Sequence, residues 1–174
     1  MATTLNKIVF EILNIAASGP VSDDFRMSRN PIAQFVHECR STLISQAIQK
    51  RQDLSDVWIQ RIKKVNLSKV DTAEYTTIDT GCDILRTTVK IPRTIEVDNN
   101  NLIISVTGLD GEPISKLNYF RSRHKSYAKF TGKNRGWFLR GDYIYVVQEK
   151  DLKYISINGI FEDPSELGSF ISTT

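Results

Sequence analysis

Cysteine, histidine and long apolar runs are what this sequence has least of. Its two cysteines, Cys39 and Cys82, lie in different predicted elements and form no CxxC, which excludes a disulfide framework and the common zinc spacings. Both read as reduced thiols in or near a core. The two histidines, His37 and His124, are far apart. A metal role for His37 with Cys39 would need two more ligands that no spacing supplies, so His37 reads as a partly buried helix histidine. No apolar run is long enough to span a bilayer. The stretch Leu5 to Ala17 is broken by Asn6, Lys7, Glu11 and Asn14, unlike a signal peptide, so the chain is expected to stay in the compartment that makes it. There is no GxSxG, no GxxxxGK[ST] and no HExxH. Asp23-Asp24 and Asp53/Asp56 stand in predicted linkers beside helix ends, where carboxylates cap or are solvated. They give a small hydrolase of cell walls or nucleic acid no acid/base pair at a useful spacing. We therefore expect no catalytic, cofactor-binding or metal-binding residue. The formal charge of +3 is too small to argue for nucleic acid by itself.

What is present is a change of period along the chain. Residues 1–174 are expected to fold as a single α+β domain: a helical part over 1–52, a β part over 57–161, and a C-terminal turn or helix over 162–174. Leu5, Ile8, Val9, Ile12, Ile15 and Ala16 fall on one helical stripe, with Thr3 or Thr4 as cap and Gly19-Pro20 as stop. A linker over 21–28 follows. Asn30 is expected to cap a second helix from Pro31 to about Lys50. Ile32, Phe35, Val36, Cys39, Leu43 and Ala47 would form its apolar face. Replacing Phe35 or Leu43 by alanine should then cost ~2–5 kcal/mol. Ile44 and Ile48 widen that face and mark a candidate contact with the β part or another subunit.

The two helices are expected to form a hairpin leading a mainly antiparallel β domain, a sandwich or partly open barrel. Strands are expected at Leu85–Ile91, with Leu85, Thr87, Val89 and Ile91 on one face, then at Thr94–Val97 and Leu102–Thr107. Asp98 to Asn101 and Asp110-Gly111 read as turns. The clearest hairpin is Trp137–Arg140, Gly141-Asp142, Tyr143–Val147, pairing Leu139 with Ile144, Trp137 with Val146, and Phe138 with Tyr145. A strand over Tyr154–Phe161 would extend it as a meander. Asp163 and Glu166 read as the start of a short C-terminal helix. Tyr75 to Gly81 reads as a long loop.

One stretch is chemically lopsided. From Lys116 to Arg140 there are eight basic residues and no Asp or Glu, with Tyr119, Phe120, Tyr127, Phe130 and Trp137 interleaved. Basic groups neutralise phosphates and aromatic faces stack on bases, so a nucleic-acid-binding module is one reading. Arg, Tyr and Trp are also enriched in protein interfaces, the reading we favour. No RNP signature, zinc knuckle or DNA-reading helix supports the first.

Lys7 to Ile15, Ser18-Gly19-Pro20-Val21-Ser22-Asp23-Asp24 and Ser41 to Ile48 resemble the opening of small virion structural proteins of crAss-like bacteriophages. Ile91-Pro92-Arg93-Thr94-Ile95-Glu96, Val106-Thr107-Gly108 with Asp110-Gly111, and Gly159 to Pro164 continue the resemblance over nearly the whole chain. It is similar to ring components of the phage neck and tail, the head-to-tail connectors, and by architecture alone to tail-tube adaptors. The resemblance implies a homo-oligomeric ring of about a dozen subunits below the portal. Partners would be the portal, other neck and tail rings, and genomic DNA passing through the lumen without specific binding. It implies a virion protein assembled in the host bacterial cytoplasm, with no cofactor, membrane partner or turnover. Rings need two unlike contact patches per subunit. The candidates are Ile44 and Ile48 on the helix shoulder, and Tyr119, Phe120, Arg121, Arg123, Trp137, Phe138 and Tyr145 around the hairpin.

Overall fold

Local signals set the first helix. The stripe over residues 5–16 forms α1 (Leu5–Ala16), and the Thr4 hydroxyl caps it by accepting from the Lys7 N–H at 3.4 Å. It stops at Ser18, whose φ is 53°, with the Gly19 N–H donating to the Asn14 carbonyl. A computed structural model describes residues 4–19, 28–53, 55–70, 84–98, 100–118, 136–147 and 152–170. It divides into two compact units, Met1–Leu54 and Ser55–Thr174.

In the first unit Val9 and Leu13 of α1 bury against Ile32 of α2 (Arg29–Gln49), with Leu5, Ile12, Ala33 and Val36 around them. The second helix begins earlier than expected. Ser28 is its N-cap, and Pro31 is the third helical residue, where an N–H would have no intrahelical acceptor anyway. Its buried face is also turned. Ile32, Ile44 and Ala47 are buried, whereas Phe35 and Leu43 are 61% and 65% exposed and Cys39 is exposed. Burial centres on the side of Val36, Ile44 and Ala47, so Leu43 and Cys39 fall at its margin and Phe35 beyond it. The expected large cost of truncating Phe35 or Leu43 is thereby corrected. Phe35→Ala and Leu43→Ala should each move the unfolding free energy by no more than ~0.5 kcal/mol, as read by urea denaturation of the unassembled chain.

The second unit opens with a 3₁₀ turn, Asp56–Trp58, and continues as strands: β1 (Gln60–Lys69), β2 (Ile84–Thr87), β3 (Glu96–Val97), β4 (Asn100–Asn101), β5 (Ile103–Gly108), β6 (Pro113–Lys116), β7 (Gly136–Arg140), β8 (Tyr143–Val147) and β9 (Tyr154–Gly159). Seven of them close a barrel in the order β1-β2-β8-β7-β6-β5-β9, and β3 pairs with β4. All pairs in the barrel are antiparallel except β6 with β7. The barrel is closed, so it is neither a sandwich nor partly open. Inward residues of each strand fill it, among them Ile62, Val65, Val106, Trp137, Ile144, Val146, Ile155, Ile157 and Phe161.

The expected β7–β8 hairpin stands pair for pair, including Leu139 with Ile144 and Trp137 with Val146. Gly141 and Asp142 have φ of 57° and 66°, the two positive values that a two-residue loop of this twist requires. Three strand expectations need correction. β9 does not extend that hairpin; it lies between β1 and β5 and closes the barrel. β2 ends at Thr87, one ladder bond (Thr88 N–H to the Asn66 carbonyl) before the chain turns so that the Ile91 N–H donates to the Asp142 carbonyl; Val89 is exposed. Asn100 and Asn101 are a strand, turned back on β3 by Asp98 at φ 51°. The C-terminal helix is a 3₁₀ helix, Pro164–Phe170, opened by Asp163, whose Oδ1 accepts from the Ser165 N–H at 2.7 Å. Its Leu167 and Phe170 pack on the barrel core.

Candidate assembly surface

The most distinctive surface of the barrel arises from two irregularities beside one strand. On β1, Ile62 faces Ile157 of β9 and Val65 faces Ile155, so β1 carries one residue more than its partner. This bulge lets Lys63 and Lys64 both point to solvent between two inward residues. On the other side of β9, β5 has the same excess: Ile103 pairs with Gly159 and Ser105 with Asn158. The extra residue, Ile104, is half-exposed.

The outer wall over these strands is held by side-chain bonds. Arg61 Nε donates to the Ser156 hydroxyl at 3.0 Å, and that hydroxyl donates to the Ile62 carbonyl at 3.2 Å. Asn158 Nδ2 donates to the Ser105 oxygen at 2.9 Å. The Lys64 ammonium stands 4.2 Å from the centre of the Tyr154 ring. Strands β2, β1, β9 and β5 contain no Asp or Glu, and Arg61, Lys63, Lys64, Lys69 and Arg86 lie on them. The wall is therefore positive.

The barrel end where β1 begins has the opposite character. The Ile95 N–H donates to the Ile160 carbonyl, the Glu162 N–H to the Arg93 carbonyl, and the Phe161 N–H to Gln60 Oε1. These bonds gather segments 55–60, 91–98 and 160–170 at one end. They carry Asp56, Glu96, Asp98, Glu162, Asp163 and Glu166 against Arg93, with Lys90, itself paired with Asp142 at 3.8 Å, beside Glu166 in the adjoining groove. Two oppositely charged faces thus sit on one rigid scaffold.

Of the residues singled out from the sequence, Ile44, Ile48, Trp137, Phe138 and Tyr145 are described. Ile44 is only 3% exposed, so the chain itself already covers it, and Ile48 is half-buried. Trp137 points into the barrel core. Phe138 and Tyr145 stack at 5.1 Å on the barrel's outer side, in a second buried cluster with Ile84 and Val147. Tyr119, Phe120, Arg121 and Arg123 lie outside the described residues, as do Cys82, His124 and the loop over 75–81. Of the basic-aromatic stretch, Lys116 is described 5.7 Å from the Trp137 ring. The bulges escaped the sequence reading. Their one trace there is the pair Lys63-Lys64, which breaks a strict inward-outward alternation.

Among the described residues no three His, Cys, Asp or Glu side chains come together as a metal site. No helix among them is long and apolar enough to cross a membrane. A groove of about 600 Å³ between Lys90–Arg93 and the C-terminal 3₁₀ helix is open and of mixed charge, with Lys90 and Asp142 paired at 3.8 Å on its rim. Residues 7–172 match the family model of phage tail ring protein 2, and the chain belongs to this crAss-like phage tail ring family. It is a structural protein of the phage virion. A comparison with curated proteins finds no match.

Proposed function

We propose that this protein closes into an oligomeric ring of identical subunits around the DNA channel of the phage neck and tail, below the portal. Its partners are further copies of itself, the portal and neighbouring ring proteins. It is assembled in the host cytoplasm and performs no turnover. The observation that carries this reading is the match to phage tail ring protein 2 over nearly the full chain. Two features support it. A ring uses heterologous contacts, one face meeting a different face of the next copy, and the barrel has two faces of opposite charge. The first unit also leaves Phe35 and Leu43 in solvent, which an assembled particle can cover.

Native mass spectrometry and electron microscopy of the purified chain, alone and with its portal, test the reading. The expected result is a closed ring with one subunit count. A chain that stays monomeric at every concentration and never joins the neck overturns it.

A further inference from the structure

We infer that neighbouring subunits are joined by the lysine-bearing wall of one barrel and the acidic end of the next. This rests on the ring reading and specifies its contact. The wall is the outer surface of β1 and β9, where the bulge between Ile62 and Val65 puts Lys63 and Lys64 side by side. The end is formed by Glu96, Asp98, Glu162 and Glu166, all exposed.

Three observations carry the inference. The first is charge complementarity within one chain. The wall strands have no acidic residue, and at the end six acidic residues outnumber Arg93 and the Asp142-paired Lys90, so two copies in the same orientation repel wall to wall and attract wall to end. That is the pattern a heterologous contact needs, because a self-complementary one would require mixed charge on one patch. The second is the bulge itself. A regular β1 would turn one of the two lysines toward the core, whereas the extra residue spends ladder regularity to present both. The third is preorganisation. Arg61 is fixed on Ser156 and Lys64 on Tyr154, so the wall has less side-chain freedom to lose when a partner docks. A polyanion such as DNA would also suit the wall, but it would leave the acidic end without a counterpart. Only a second copy uses both faces.

The test is reversal and re-pairing of charge in the full-length chain, with ring assembly read by native mass spectrometry and light scattering over concentration and salt. Wild-type rings should need higher protein concentration as salt rises. The variant K63E/K64E should raise the concentration for half-assembly at least ~10-fold. So should E96K/E162K. Mixing the two variants should restore assembly as an alternating ring, because the glutamate-bearing wall of the first meets the lysine-bearing end of the second and the second's original wall meets the first's original end. Combining all four changes in one chain restores opposite signs and should recover assembly. Both lysines and both glutamates are exposed, and unchanged circular dichroism confirms that the variants fold. A wild-type ring that K63E/K64E leaves intact overturns the contact and spares the ring reading. So does a four-fold variant that assembles no better than either double one. If K63E/K64E still assembles but loses retention on duplex DNA, the wall is a nucleic-acid face and the inference fails. A wild-type chain that never oligomerises overturns the ring reading and the contact together.

Discussion

Replacing Ile157 with lysine should prevent this protein from folding. Ile157 is fully buried on β9, opposite Ile62 of β1 and Val106 of β5. β9 is the strand that joins these two and closes the barrel, so the ammonium would stand in the apolar interior with no counter-charge among the core residues. An unpaired buried charge costs several kcal/mol, against a total stability of ~5–15 kcal/mol for a domain of this kind. The expected outcome is insoluble protein, or soluble protein without a cooperative unfolding transition by circular dichroism. The neighbouring position is the control. Asn158 lies on the outer wall, so Asn158→Lys loses one hydrogen bond to Ser105 and should cost only about 1 kcal/mol. A single step along a strand exchanges the two faces, and the pair of variants reads that step directly.

The hairpin over 137–147 was legible in the sequence because everything that specifies it is local. Alternating apolar residues face each other across a Gly-Asp turn, and both turn residues take the positive φ that the pattern implies. The partners of β9 were not legible. Arg61 and Ser156 meet across 95 residues, and no short-range signal says that a strand after the hairpin will leave it and insert between β1 and β5. The bulges were hidden for a related reason: each is defined by its partner's count, and the partner is remote. The helical part failed in a different way. A wheel centres the face on Ile32, Cys39 and Leu43, but burial is turned toward Val36, Ile44 and Ala47. The choice of Ile32, Ile44 and Ala47 over Phe35 and Leu43 belongs to packing. For the candidate site the sequence carried the charges without their arrangement. Lys63, Lys64, Glu96 and Glu162 are plain surface residues until the barrel gathers them into two faces.

Replacing Trp137 with alanine separates a core role from a contact role for a residue that the sequence places at a subunit interface. In the structure its side chain is 2% exposed, among Val146, Ile144 and the rest of the barrel core. The site is tightly closed. A Cβ at the preceding Gly136 would collide with the Leu117 side chain, and the Leu117 N–H donates to the Trp137 carbonyl at 2.7 Å. β6 and β7 are also the barrel's one parallel pair, with Lys116 opposite Trp137. Little can move in to fill the void, so the expected loss is ~3–5 kcal/mol of unfolding free energy, measured by urea denaturation of the unassembled chain. Such a loss is a large share of the total and should also lower the yield of folded protein. Trp137→Phe keeps an aromatic ring in the same place and should cost less than half as much. If Trp137 instead served mainly at a contact between copies, Trp137→Ala would abolish assembly and leave the unfolding midpoint of the monomer where it was. The burial of the ring argues for the first outcome, in keeping with the proposed contact between the charged wall and the acidic end.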